Sequence, residues 1–448
     1  MQKTHKRWII LLSALLLFIV LALLPLGLSD QAQITIAIIG FALVLWISEV
    51  IPLHATALTV ALFLIIFGRF PADKVFAQFF DKVVVLVFGG FVLAIALHKH
   101  RLDEYLAHKL LGKFGVSSSM VLLGILTATA FLSMWMSNSA AAAIAMPIAL
   151  FILTKNRMRP AKSQFGKSLI LAVAYGATIG GIGTLIGSTP NVIAQKFLTE
   201  HDLTFGFLEW GLRGFPFMVL MVLASWYILR KIFPSERRFL KMQKHVHPFT
   251  RKQIQVAAIL LITVLLWITE GLHGIHSSVV ALVPVVLLSV LNLIDTKDFH
   301  KIGWDSLILI GGGIALGMAI DISGLDDNIS HLLGTSLLSQ HYFVVLLVMG
   351  FAGIFLTSFL SNTAASAVFI PIITALATVL NTDMTNLVVA ASIGVSLDFM
   401  LPMGTPPTAM AHATGYVHIK DLLKAGLLIS LAGAFLMALL VYFTWGLL

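Results

Sequence analysis

The chain has 448 residues, 59% of them hydrophobic and only 11% charged, with a net charge of +9 and no cysteine. Soluble chains carry about 25% charged residues, so a string of soluble domains is excluded; the missing cysteine excludes disulfides, thiol catalysis and Cys-type zinc sites. Uncharged runs of 17 to 20 residues recur, long enough to cross a hydrocarbon core of roughly 30 Å, and in lipid they must be helical because each backbone N–H and C=O has to be satisfied within its own segment.

The N-terminus opens with Lys3, Lys6 and Arg7, followed by an apolar stretch over 8–28. That stretch is too long for a signal-peptide core and lacks a small-residue exit, so it reads as a retained first helix. Spans follow at 34–51, 54–68 and 82–98. His98, His100 and His108 fall in or beside a surface helix and read as interfacial residues rather than metal ligands. The stretch 118–154 is different in kind. Ser117 to Thr154 is 38 residues, about 57 Å as a helix, too long for one crossing, and Ser137-Asn138-Ser139 interrupts it midway. We read it as a re-entrant helical hairpin whose polar tip stops near mid-membrane, its second arm (140–153) reaching about 21 Å. A break at that depth is tolerated where protein or a wet cavity covers it. The competing reading is a full two-pass hairpin with the same three residues as a surface turn. Next come a span over 168–194, interrupted by Gly187-Ser188-Thr189-Pro190-Asn191, a span over 213–233 and a basic stretch from Arg230 to Lys252. Spans at 253–270, 277–294 and 304–322 lead to a second hairpin-like stretch, 341–380. A span over 385–411, interrupted by Gly404-Thr405-Pro406-Pro407, and a last one over 425–447 complete the chain.

With the N-terminal tail in the cytoplasm and both hairpins returning to the side they leave, 24 of the 29 Lys and Arg are cytoplasmic; Arg69, Lys74, Lys82, Lys196 and Arg213 stay outside. This positive-inside bias accounts for the net charge without any nucleic acid. The basic loop is solvated, within reach of anionic lipid headgroups. The expectation is a multi-pass protein of the plasma (inner) membrane, all-α, with about eleven transmembrane helices plus two re-entrant hairpins, its N-terminus cytoplasmic and its C-terminus extracytoplasmic.

The second half repeats the words of the first. Ser133…Ser137-Asn138-Ser139-Ala-Ala…Pro147 returns as Thr357…Ser361-Asn362-Thr363-Ala-Ala…Pro371, every position offset by 224. Leu45-Trp46-Ile47-Ser48-Glu49 returns as Leu266-Trp267-Ile268-Thr269-Glu270, Gly89-Gly90 within Gly311-Gly312-Gly313, and the Gly-Ser-Thr-Pro word as Gly-Thr-Pro-Pro. Four words in one order mark an internal duplication: residues 1–33 as N-terminal tail and first helix, 34–233 as first repeat, 234–252 as basic cytoplasmic loop and 253–448 as second repeat. Five crossings per repeat invert one half against the other, and inverted repeats with discontinuous helices mark a secondary transporter with its site near the midplane.

Ser and Asn in membrane helices commonly serve as helix–helix glue. At a hairpin tip they also stand beside the unpaired N–H groups of a helix N-terminus, which together form an anion cradle. Pro at the helix breaks frees a carbonyl one turn earlier and Gly lets a ligand approach the backbone, so hydroxyls and carbonyls can gather as hard oxygen ligands for Na⁺. Segments 118–154, 168–194 and 341–380 contain no Lys, Arg, Asp or Glu, and 385–411 contains only Asp398. An anion there meets no basic side chain, and helix N-termini supply only about half a charge each; a dianion therefore calls for co-bound cations. Asp398, ionisable within a span, could neutralise a cation, take a proton, or accept hydrogen bonds beside a wet cavity. His412 lies just past the second break. No Walker A, H-E-x-x-H or G-x-S-x-G word is present, so nothing points to ATP or to intramembrane proteolysis.

In the paired Ser-Asn-Ser/Thr tips, the Gly-x-x-Pro words, the Leu-Trp-Ile-Ser-Glu word and Phe399-Met400-Leu401-Pro402, the sequence resembles the divalent anion/sodium symporter family, carriers of dicarboxylates, citrate or sulfate. The resemblance implies a homodimer with elevator-type scaffold and transport domains. It implies one sodium site from Ser133, Ser137, Asn138 and Gly187, and another from Thr357, the carbonyl of Leu360, Asn362 and Gly404. Substrate carboxylates would meet Asn138, Ser139, Ser188, Asn362, Thr363 and Thr405. The chain departs from the family pattern at Ser139, where Thr is usual, at Thr189, where the first Pro of a Pro-Pro pair is usual, and at Thr408, where Asn is usual. The combined expectation is Na⁺-coupled symport of small dicarboxylates such as succinate, malate or fumarate, with Na⁺ as co-transported ion. Against it stand a sodium-independent exchanger, a sulfate or tricarboxylate carrier, a proton-coupled carrier using Asp398, and a non-transporting receptor or intramembrane enzyme.

Overall fold

The computed structural model describes residues 2–160, 162–241, 248–337, 340–402 and 404–445. The centre of the basic loop, Met403 of the second break and the end of the last predicted span lie outside these. Among the described residues the secondary structure is helical throughout, apart from one isolated antiparallel bridge between Ser117 and Phe239.

Among the described residues ten helices are long and apolar enough to cross a membrane, two of them the second arms of the hairpins, against about eleven expected besides the hairpins. The difference has local causes. The predicted span 277–294 is two short helices, Ser277–Val280 and Leu282–Val290, because Pro284 has no N–H to donate back to Val280. Leu53–Ile66 is 14 residues and Met384–Val395 is 12, while the second arms of the two hairpins, Asn138–Lys155 and Asn362–Val379, are 18 each, or about 27 Å. Those arms exceed the 140–153 expectation because the helix begins at the tip Asn itself. Trp304–Ile322 has the predicted bounds.

The chain divides into two units, and each draws on both halves of the sequence. One comprises 1–84, 193–204 and 303–395. In it Trp304–Ile322 packs against Leu53–Ile66 and Asn362–Val379, and its consecutive glycines make that approach possible. A Cβ on Gly312 would lie 2.5 Å from the Ala57 methyl, and one on Gly313 would lie 2.7 Å from the Ala367 methyl. Small residues at such crossings let backbones close up where lipid offers no hydrophobic drive. Tyr342–Thr357, the first arm of the second hairpin, lies along Met384–Val395 in the same way, through Gly350, Gly353 and Gly394.

The other unit comprises 85–192, 205–302 and 396–448. At its centre is Gln164–Ile182, buried along its length and covered by Ser118–Ser133, Asn138–Lys155, Phe207–Ile232 and Pro406–Ala413. Trp267, from the repeated Leu-Trp-Ile word, is fully buried, stacks on Phe207 at 4.9 Å and donates Nε1–H to Ser277 O (2.9 Å).

Candidate functional site: two hairpin tips and two helix breaks

The two tips fold alike. Ser137 ends one connection with extended backbone (φ −59°, ψ 146°) and its hydroxyl accepts from Ala140 N–H (3.3 Å). Ser361 does the same (φ −62°, ψ 149°) for Ala364 N–H (3.2 Å). Each is an N-cap, so each second arm starts at the following Asn, with its partial positive end at the tip. Five residues before each Asn, a hydroxyl buried in the first arm donates to the Asn carbonyl oxygen: Ser133 Oγ to Asn138 Oδ1 at 2.8 Å, and Thr357 Oγ1 to Asn362 Oδ1 at 2.7 Å. Asn138, Ser139, Asn362 and Thr363 are half-buried at the tips, and Leu360 is buried. The bond fixes each amide: its oxygen is turned to the hydroxyl and its NH₂ away from it.

The first tip, the first break and the second break lie in the unit built on Gln164–Ile182; the second tip lies in the other unit. At the first break, Gln164–Ile182 stops, a short 3₁₀ turn runs over Leu185–Gly187, and a new helix runs over Thr189–Glu200. Thr184 Oγ1 donates to Met134 O (2.5 Å), tying the break to the tip. Asn191 Nδ2 donates to Gly181 O and Thr184 O (2.8 Å each), and Trp210 Nε1 to Ile182 O (2.8 Å). Ser188 is half-buried in the gap.

Gly181 and Asn191 are the residues that sequence reasoning left unassigned. A Cβ on Gly181 would lie 2.5 Å from Asn138 Oδ1 and 3.0 Å from Gly187 O. Two oxygens thus close on the bare backbone of Gly181, where a side chain would collide with them. Oxygens at that reach are the hard donors a small cation takes, and Ser133 Oγ is bonded to one of them. The Ser133, Asn138 and Gly187 oxygens are donors of the hard kind that suits Na⁺, while the structure gives Ser137 a capping role at the exposed rim. The signal available in the sequence was the Gly180-Gly181 pair.

At the second break, the helix Met384–Val395 gives way to irregular chain before Pro406–Ala413. Thr405 is its N-cap, buried, with Oγ1 3.0 Å from Thr408 Oγ1; Thr408 Oγ1 also lies 2.7 Å from Thr405 O. Thr408 thus caps the first turn of the resuming helix through Thr405, whereas Asn191 in the first half reaches back across its break. Asp398 is fully buried. His412 Nδ1 donates to Val417 O (2.9 Å), away from the break. His98 Nδ1 lies 2.9 Å from Asp103 Oδ2, and His100 Nε2 donates to Leu293 O (2.8 Å).

A family model for the sodium:sulfate symporter transmembrane region matches residues 3–448. The chain is 32% identical to a sodium-dependent dicarboxylate transporter, SdcS, of Staphylococcus saprophyticus, covering 96% of this chain and 89% of that protein. It is 31% identical to an uncharacterized transporter of Haemophilus influenzae, covering 99% and 98%. Among solved structures, the YdaH transporter of Alcanivorax borkumensis matches with a TM-score of 0.60 at 12% identity, over 83% of this chain and 88% of that one, a likeness of fold.

Proposed function

The chain belongs to the sodium:sulfate symporter family, a multi-pass transporter and not an enzyme, and from that premise we propose that it carries small dicarboxylates such as succinate, malate or fumarate into the cell together with Na⁺. The observation that carries this reading is the duplicated tip: a buried hydroxyl, an Asn five residues on, and a Ser N-cap, built to the same geometry twice. Each tip offers one carboxylate the positive end of a helix, an Asn amide and a hydroxyl, from Asn138 and Ser139 at one and Asn362 and Thr363 at the other; Ser188 and Thr405 add hydroxyls from the breaks. One Na⁺ takes the oxygens of Ser133, Asn138 and Gly187, with Ser137 at its rim. A second takes Thr357, Asn362 and the Leu360 carbonyl. When bound, Na⁺ supplies the positive charge that no basic side chain provides in these segments, which is why substrate and cation travel together.

The relation to SdcS supports both the cation and the substrate class. The charge bias supports a cytoplasmic N-terminus and an extracytoplasmic C-terminus. In this reading the two repeats are inverted, the hairpins re-enter without crossing, and the tip-bearing elements move as an elevator against a scaffold within a homodimer. Exposed apolar faces on Gln2–Leu23 and Arg251–Ile268, with Leu12, Leu16, Ile254 and Leu261 outward, suit lipid contact.

Uptake of labelled succinate into proteoliposomes tests the proposal. Transport should require an inward Na⁺ gradient, with K⁺ and pH gradients unable to replace it, and should be competed by malate and fumarate but not by sulfate or citrate. Asn138→Ala and Asn362→Ala should each lower the rate by about a hundredfold or more, as expected for losing a buried ligand-bearing amide worth about 3 kcal/mol, while leaving protein folded in the membrane. Normal uptake by both variants would refute the site. Counterflow without any Na⁺ requirement would make the protein an exchanger.

A further inference from the structure

The second break carries a group that the first lacks. Aligning the two break words puts Asp398 opposite Gly181, because Gly187 and Gly404 correspond and both residues stand six positions earlier. In the first half that position is bare, and the oxygen of Asn138 fills the space beside it. In the second half it bears a carboxylate lying against Gly404, so close that a Cβ on Gly404 would overlap it.

Asp398 is 0% exposed, and neither carboxylate oxygen has a hydrogen-bond partner of ordinary geometry, although the Met400 N–H lies nearby. Its surroundings are Phe399, Gly404 and the buried ring of Tyr175, which packs edge-on to Phe399 at 5.2 Å. Lys167, the basic residue on the neighbouring long helix, is already committed to Asp421 at 2.9 Å. A buried carboxylate without a partner costs several kcal/mol, and a chain keeps such a group where a bound cation compensates it. We propose that Asp398 is a direct ligand for a sodium ion at the second break, its carboxylate providing a full negative charge where the first break offers only neutral oxygens. Gly404 leaves the room the carboxylate needs.

This assignment rests on the sodium coupling proposed above, and the test separates the two. Purified protein in detergent is melted in rising NaCl, at constant ionic strength with choline chloride, and succinate uptake is titrated with Na⁺ at saturating substrate. In the unaltered protein NaCl should raise the melting temperature. In Asp398→Asn the Na⁺ midpoint should rise by about tenfold or more in both titrations, with the succinate KM at saturating Na⁺ within a few-fold of the starting value. Asp398→Gly, which installs the residue of the first half, should behave likewise and serves if the Asn variant does not fold. Unchanged Na⁺ midpoints in a variant of a sodium-responsive protein would overturn the assignment alone. So would a raised succinate KM with an unmoved Na⁺ midpoint. An unaltered protein indifferent to NaCl in both measurements would overturn the sodium coupling and this assignment together.

Discussion

Gly181 shows how a missing side chain lets two oxygens close on a backbone. Its hydrogen faces Asn138 Oδ1 and Gly187 O, and a methyl group there would lie 2.5 Å from the first and 3.0 Å from the second. Real Cβ atoms do not approach oxygen so closely, so the methyl would displace the Asn carbonyl. Gly181→Ala should therefore cut Na⁺-stimulated uptake to below about a tenth, equivalent to about 1.4 kcal/mol, with a raised Na⁺ midpoint. Uptake at the unaltered rate and midpoint would show that the convergence of oxygens is incidental. Residues of this kind are hard to read from sequence, because glycine announces a close approach without saying to what. The tip asparagines were legible because they stand between a helix-ending word and a small-residue run, twice, at one spacing. Asn191 was legible as part of a word but its role was not, since its two bonds run back to carbonyls seven and ten residues earlier.

At the scale of the element, the hairpins and breaks were visible wherever polar words interrupted uncharged stretches. The bounds of Trp304–Ile322 came out as read because Gly303 precedes it and Ser323-Gly324 follows it. The single span over 277–294 did not, since Pro284 within an apolar run was not taken as a break. The second arm of the first hairpin was read short because an Asn at a cap word looks like loop, whereas the cap is the Ser before it. The glycine triplet in Trp304–Ile322 has a use that composition could not assign: successive residues address different neighbours, Gly311 facing Phe79, Gly312 Ala57 and Gly313 Ala367. Gly312→Leu should lower thermal stability in detergent by about 1–3 kcal/mol or more, the range for overpacking. An unchanged melting temperature would mean the two helices can move apart freely.

For the molecule as a whole, membrane placement and family were legible from composition, charge bias and repeated words. The partition into two units was not: each takes segments from both halves, and sequence order does not reveal how a duplicated chain interleaves. Stability outside the lipid rests partly on a buried charged knot. Asp298 is 3% exposed and caps the backbone N–H of Asp295 (3.0 Å), with Lys99 at 2.5 Å and Lys301 at 3.0 Å. Burial alone would push its carboxyl up, but Lys99, Lys301 and the backbone bond outweigh that and hold it at about 2, below the usual 3.8. A group held low when folded contributes stability above its unfolded value and loses it as pH falls through about 2. Asp298→Asn should therefore cost about 2 kcal/mol at neutral pH, with the difference from the unaltered protein vanishing towards pH 2, as read from melts across pH. A pH-independent difference would assign the loss to packing.

The side-chain ties at the first break also have an electrical result. A helix cut in two leaves stumps of opposite polarity facing each other across the gap, and left alone they would nearly cancel. Here the carbonyls of the negative stump are already quenched, Gly181 and Thr184 by Asn191, Ile182 by Trp210. The opposing stump begins where the chain resumes at Thr189. The negative side of the cut is thereby neutralised by side-chain donors alone, with no Lys or Arg between positions 168 and 194.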